Sequence, residues 1–75
     1  MYLKDSTKLV NVDLVEKFTL FEDRDWDLLM AWASSGPTAF IIPKGKGVSF
    51  LNKLASLIEL NHNKVYSVDE ICSTL

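Results

Sequence analysis

Two apolar runs, Leu28 to Ala33 and Ala39 to Ile42, stand on either side of Ser34-Ser35-Gly36-Pro37. Glycine allows positive φ and proline presets its own φ, so this tetrapeptide has turn chemistry. Both runs are short for helices, and the second holds two isoleucines. The pattern therefore predicts a hairpin over residues 26–43, strand, turn, strand. Alternation along the first strand puts Trp26, Leu28, Met30 and Trp32 on one face and Asp27, Leu29, Ala31 and Ala33 on the other. A helix over residues 26–33 stays open as an alternative. In it Leu28, Leu29 and Trp32 form one stripe, with Asp25 as N-cap and Gly36 as stop.

Upstream, Tyr2-Leu3-Lys4 reads as a short edge strand and Asp5-Ser6-Thr7 as a turn. Leu9, Val10 and Val12 have strand character. Residues 14–21 read either way, because Leu14, Phe18 and Phe21 repeat at helical spacing behind an Asp13–Glu16 capping pattern, yet the stretch also alternates. The strand is preferred, bent or bulged near Asn11-Val12-Asp13, since a turn at residues 22–25 then joins it to the hairpin as a meander. Downstream, Lys44-Gly45-Lys46-Gly47 is a loop. Residues 48–60 predict a helix with Phe50 or Leu51, Leu54, and Leu57 or Ile58 on one face, Ser49 as a cap and Asn61-His62-Asn63 as its stop. Lys64-Val65-Tyr66 reads as a brief strand, and Ser67-Val68-Asp69-Glu70 as a capping box opening a short helix over residues 68–74. The fold class expected is α+β: a small antiparallel β-meander of three or four strands packed against one main C-terminal helix, plus a short terminal helix. The core expected is Val10, Phe18, Leu20, Leu28, Met30, Trp32, Phe40, Ile42, Phe50, Leu54, Leu57, Ile58 and Ile71.

Composition changes this picture in one respect. The chain has 75 residues, 48% hydrophobic and 24% charged, as expected of one globular domain spanning residues 1–75. A domain this small is near the margin of stability, and such chains often gain support from disulfides, metals or association. With Cys72 and His62 the lone members of their types, an internal disulfide and the usual zinc sets are excluded. Association is left, and a homo-oligomer, a dimer first, is expected. One helix covers one sheet face. The spare face is expected to show Leu29, Ala31, Ala39 and Ile41, which are the candidate interface. No apolar run approaches the roughly 20 residues that span a bilayer, and residues 1–6 lack a secretory h-region. The expectation is a cytoplasmic protein without membrane contact, the single cysteine being consistent with it.

The net charge is −2, unevenly spread. Asp13, Glu16, Glu22, Asp23, Asp25 and Asp27 crowd the first half, whereas Lys44, Lys46, Lys53 and Lys64 dominate residues 44–64. Solvated loops explain this, as does complementarity to a charged partner. Asp23-Arg24-Asp25-Trp26-Asp27 places oxygens as the start of an EF-hand loop does, but Leu28 and Ser34 stand where glycine and glutamate belong. Gly45-Lys46-Gly47 resembles part of a phosphate loop, without the upstream glycine or the hydroxyl after the lysine. Ser34, Ser35 and Cys72 are possible nucleophiles and His62 the one histidine base, with no spacing that joins them. No enzyme activity and no cofactor are expected. The function expected is protein–protein binding, as an adaptor, inhibitor or regulatory subunit. The alternative is a nucleic-acid-binding regulator, using Lys44, Lys46, Lys53 and Lys64 and a helix–break–helix C-terminal region. The aspartates beside the tryptophans argue against base stacking.

Overall fold

The computed structural model describes residues 1–60 and 63–75. Asn61 and His62, expected to stop the main helix, lie outside the described residues. The elements in chain order are β1 (Tyr2–Lys4), β2 (Leu9–Asn11), a 3-10 turn (Val12–Leu14), β3 (Val15–Glu22), β4 (Trp26–Ala33), β5 (Gly36–Pro43), α1 (Gly47–Glu59), β6 (Val65–Ser67) and α2 (Val68–Cys72). The fold is α+β. Residues 14–21 and 26–33, ambiguous in sequence, are in the main extended.

The meander β3-β4-β5 is antiparallel throughout. Asp23-Arg24-Asp25 turns the chain between β3 and β4, with Asp23 N donating to Trp26 O at 3.0 Å. Ser34-Ser35 turns it between β4 and β5, Ala33 facing Gly36. The bend expected near residues 11–13 is a change of sheet. Asn11 Oδ1 accepts from Asp13 N at 3.1 Å and caps the 3-10 turn, and the chain passes from β2 into β3. A second sheet, order β2-β1-β6, pairs β1 antiparallel with β2 and parallel with β6.

Helix α1 forms because Gly47, Phe50, Leu54 and Leu57 recur at three- and four-residue steps and bury one stripe. In α2 the capping box is complete: Ser67 Oγ accepts from Glu70 N at 3.0 Å, and Glu70 Oε1 accepts from Ser67 N at 3.3 Å. Leu29, Ala31, Phe40 and Ile42 from the meander meet Phe50, Leu54 and Leu57 of α1, Leu3 and Val12, and Val68 and Ile71 of α2 in one buried cluster. Among the described residues, no helix is long and apolar enough to cross a membrane.

The expected core needs correcting in two places. Leu29 and Ala31 are 0% and 1% exposed, whereas Leu28, Met30 and Trp32 lie half-buried on the opposite face. The reason is the two-residue turn. Pairing Ala33 with Gly36 sets Leu29 beside Phe40 and Leu28 beside Ile41, so an odd-numbered face of β4 continues on even numbers in β5. Ile58 is 40% exposed, because α1 buries the Phe50–Leu54–Leu57 stripe one residue away.

Candidate protein-binding face

Residues directly opposite on neighbouring strands share a face. On the outer face of the meander, one row is Phe21–Leu28–Ile41, the next Thr19–Met30–Ala39, and the next Lys17–Trp32–Pro37. Trp26 faces Pro43 at the far end. The face is thus apolar along β4 and β5, and β3 adds Phe21 beside the polar Thr19 and Lys17. It is also open: Phe21 is 51% and Ile41 59% exposed. Two contacts hold its aromatic end in place. Trp32 Nε1 donates to Thr19 Oγ1 at 2.8 Å, and Lys17 Nζ lies 5.3 Å from the centroid of a Trp32 ring.

Along the β5 side the face deepens into a cleft of about 740 Å³. Its apolar floor is Leu28, Ala39 and Ile41, and its walls are the Lys4–Lys8 turn and Ser67–Asp69. The turn is held firmly. Asp5 Oδ1 accepts from Thr7 N at 2.9 Å and Lys8 N at 3.0 Å, and Oδ2 pairs with Lys8 Nζ. The Lys8 bond and the Thr7 amide lower the Asp5 pKa to about 2. Lys8 Nζ also lies 5.1 Å from the centroid of the Phe40 ring, tying the turn to β5.

The candidate interface of Leu29, Ala31, Ala39 and Ile41 is divided by the structure. Ala39 and Ile41 belong to the open face, while Leu29 and Ala31 face the helix inside. Sequence reasoning missed Phe21, Leu28, Met30 and Trp32 as members of the open face. The signal that finds them is the parity of the Ser34-Ser35 turn.

The lysine region is also reorganised. Asp27, expected in an acidic loop, is buried, and its Oδ2 accepts from Gly45 N at 3.2 Å and Gly47 N at 2.8 Å. Gly45 reaches this geometry at φ +84°. These amides at the start of α1 are the donors that an external anion would need, and a carboxylate of the chain already occupies them. It also replaces Ser49, which lies inside α1, as the cap of this helix. Lys44 Nζ lies 3.6 Å from Asp27 Oδ1 and donates to Asp23 O, so Lys44 is engaged within the chain. Lys46 is the N-cap residue of α1, Lys53 borders a small dent between α1 and α2, and Lys64 precedes β6.

Asp23, Asp25 and Asp27 do not converge as calcium ligands: the first two are exposed and the third is turned inward onto the loop amides. Burial raises the Cys72 pKa, with Lys46 opposing and Asp69 adding, so the thiol is protonated and a poor nucleophile at neutral pH. Ser34 and Ser35 lie at the exposed hairpin tip. His62 lies outside the described residues. Comparison of the chain with known families, curated proteins and solved structures finds no match.

Proposed function

We propose that this protein acts by binding another protein chain through the outer face of β3-β4-β5, as an adaptor, inhibitor or regulatory subunit rather than as a catalyst. The observation that carries the reading is the contiguous apolar surface of Phe21, Leu28, Met30, Trp32, Ala39 and Ile41, open on a chain whose interior is already complete. Broad, exposed apolar surfaces of this kind mark interaction sites. Aromatic side chains and methionine are also the types enriched at the centre of interfaces. A non-catalytic role is favoured because burial raises the Cys72 pKa, which makes its thiol a poorer nucleophile, and because Ser34 and Ser35 lie exposed at the hairpin tip.

Nucleic-acid binding by Lys44, Lys46, Lys53 and Lys64 has less support, with Lys44 engaged by Asp27 and Asp23 and the α1 amides occupied. A photo-cross-linking side chain in place of Phe21, in a cell that makes the protein, tests the main reading. Adducts to protein chains are expected there and not at Asn52, on the exposed side of α1. Absence of an adduct at residue 21, together with a gel shift at low salt that fades steeply as salt is added, would transfer the function to the lysines.

A further inference from the structure

We infer that the cleft beside β5 takes an extended segment of a partner protein, which adds to the meander as a short antiparallel strand along the Ala39–Ile41 edge. This rests on the protein-binding reading above and names the kind of partner that the surface receives.

The prolines of β5 fix which way its backbone groups point. In an antiparallel pair, opposite residues alternate between those that exchange both hydrogen bonds and those that exchange none. Pro37 has no N–H, so its pair with Trp32 is of the second kind. Register carries this phase along the strand. Thr38, Phe40 and Ile42 bond to β4, whereas Ala39, Ile41 and Pro43, opposite Met30, Leu28 and Trp26, turn their backbone groups away from it. Pro43 again stands where no donor to β4 is needed, and its carbonyl is taken by Lys46 N at 3.0 Å. What remains is a window: the N–H and C=O of Ala39 and of Ile41, directed off the open edge of the meander. Among the described residues these groups meet no partner on another element.

Main-chain donors and acceptors at alternate residues select another main chain in extended form. A helix has already spent its own ladder groups, and a phosphate brings no donor. The window also opens onto a hollow. Ala39 and Ile41 form the cleft floor with Leu28, and the Lys4–Lys8 turn and Ser67–Asp69 stand across from them. The cleft, about 740 Å³, has the size of clefts that take ligands. Its charges balance, Lys4 and Lys8 against Asp5 and Asp69, so it does not gather a polyanion and suits an uncharged backbone.

The side chains of the added segment follow from register. Residues opposite Ala39 and Ile41 continue the rows Thr19–Met30–Ala39 and Phe21–Leu28–Ile41 by one strand. β-Branched side chains suit both places. The residue between them turns to the side of Phe40, where Lys8 Nζ lies 5.1 Å from the ring centroid, and a polar side chain suits it. The prolines keep the segment short, because a longer strand finds no donor at Pro37 or Pro43. A loop or chain end of the partner meets these terms. The β5 of a second copy does not. Its edge is walled by its own Lys4–Lys8 turn and Ser67–Asp69, and two walled edges do not close to the strand spacing of about 4.8 Å.

The probe is a set of capped pentapeptides with valine, isoleucine or threonine at the second and fourth positions and polar residues elsewhere, titrated into the isotope-labelled full chain and followed by NMR. The amides of Ala39 and Ile41 are expected to shift most and to exchange more slowly with solvent, with half-saturation on the order of 100 µM. N-methylation of the peptide at its second and fourth positions keeps every side chain but removes the donors to β5. It should weaken binding by roughly tenfold or more, whereas N-methylation at the third position, whose N–H faces away, should change it by less than about twofold. Ala39→Pro removes an edge donor without touching a bond to β4 and should weaken binding in the same way, with circular dichroism reporting the fold. The methylated peptides give their answer on the unaltered protein. Strand addition is overturned if no peptide moves the Ala39 and Ile41 amides up to about 2 mM, or if methylation at the second and fourth positions leaves binding unchanged. Weakening by the third-position methyl alone overturns the antiparallel register. If strand addition falls while residue 21 still cross-links to protein chains, the protein-binding face stands. If those adducts are missing too, both readings fall.

Discussion

Asp27 and Gly47 are matched to each other. A β-carbon on Gly47 would stand 2.7 Å from Asp27 Oδ2 and 2.7 Å from Leu20 Cδ1. Helix propensity alone favours alanine over glycine by about 1 kcal/mol. Here the crowding should reverse the sign, and Gly47→Ala is expected to lose about 1–3 kcal/mol in denaturant unfolding. Asp27→Ala should lose a similar amount, about 1–3 kcal/mol, because it strips the acceptor from two loop amides. Neither role was legible in the sequence, where Asp27 reads as one of several aspartates near a turn. Its partners lie 18 and 20 positions away, beyond the reach of any local capping rule. Asp5 is different, since its partners Thr7 and Lys8 are adjacent and its turn was read correctly. With its pKa lowered to about 2 in the fold, its contribution is present above the ordinary aspartate value and is lost as pH falls through about 2. Acid unfolding of Asp5→Asn, followed by circular dichroism, should therefore show a shallower stability loss between about pH 4 and pH 2 than the parent chain.

Among the elements, α2 was the most readable and β4 the least. The Ser-x-x-Glu pattern gave α2 its start, and both reciprocal bonds are present. Ser67→Ala should cost about 1 kcal/mol in the same unfolding measurement. In β4 the alternation was seen but assigned to the wrong sides. Large side chains were taken for the core, yet the interior face carries Leu29 and Ala31, while Trp32, Met30 and Leu28 face outward. Side-chain size did not decide the face; the parity of a two-residue turn did. In α1 the apolar stripe was legible to within one residue, with Phe50, Leu54 and Leu57 inside and Ile58 out. Leu54 is fully buried, so Leu54→Ala should lose about 2–5 kcal/mol. A loss below 1 kcal/mol would show that this stripe is not the packed face.

At the scale of the whole molecule, the meander and its covering helix could be read from pattern and turn chemistry, because each joins neighbours in sequence. The three-residue strands β1, β2 and β6 could be suspected singly, but not their assembly into one sheet. That sheet has the earliest strand at its centre and one of the latest beside it, paired Leu3 to Tyr66. The two halves of this pair are separated by roughly 60 positions, and closing so long a loop costs entropy before any bond forms. The hairpins of the meander close over a few residues and carry no such cost. The order of assembly follows: β3, β4 and β5 organise early, and β1 meets β6 only after α1 has folded back across the meander. The second sheet then acts as a clasp, last to fasten and first to open. Its backbone amides, Tyr2 and Tyr66 among them, are expected to exchange with solvent deuterium through a partial opening that leaves the amides of Leu29 and Phe40 protected.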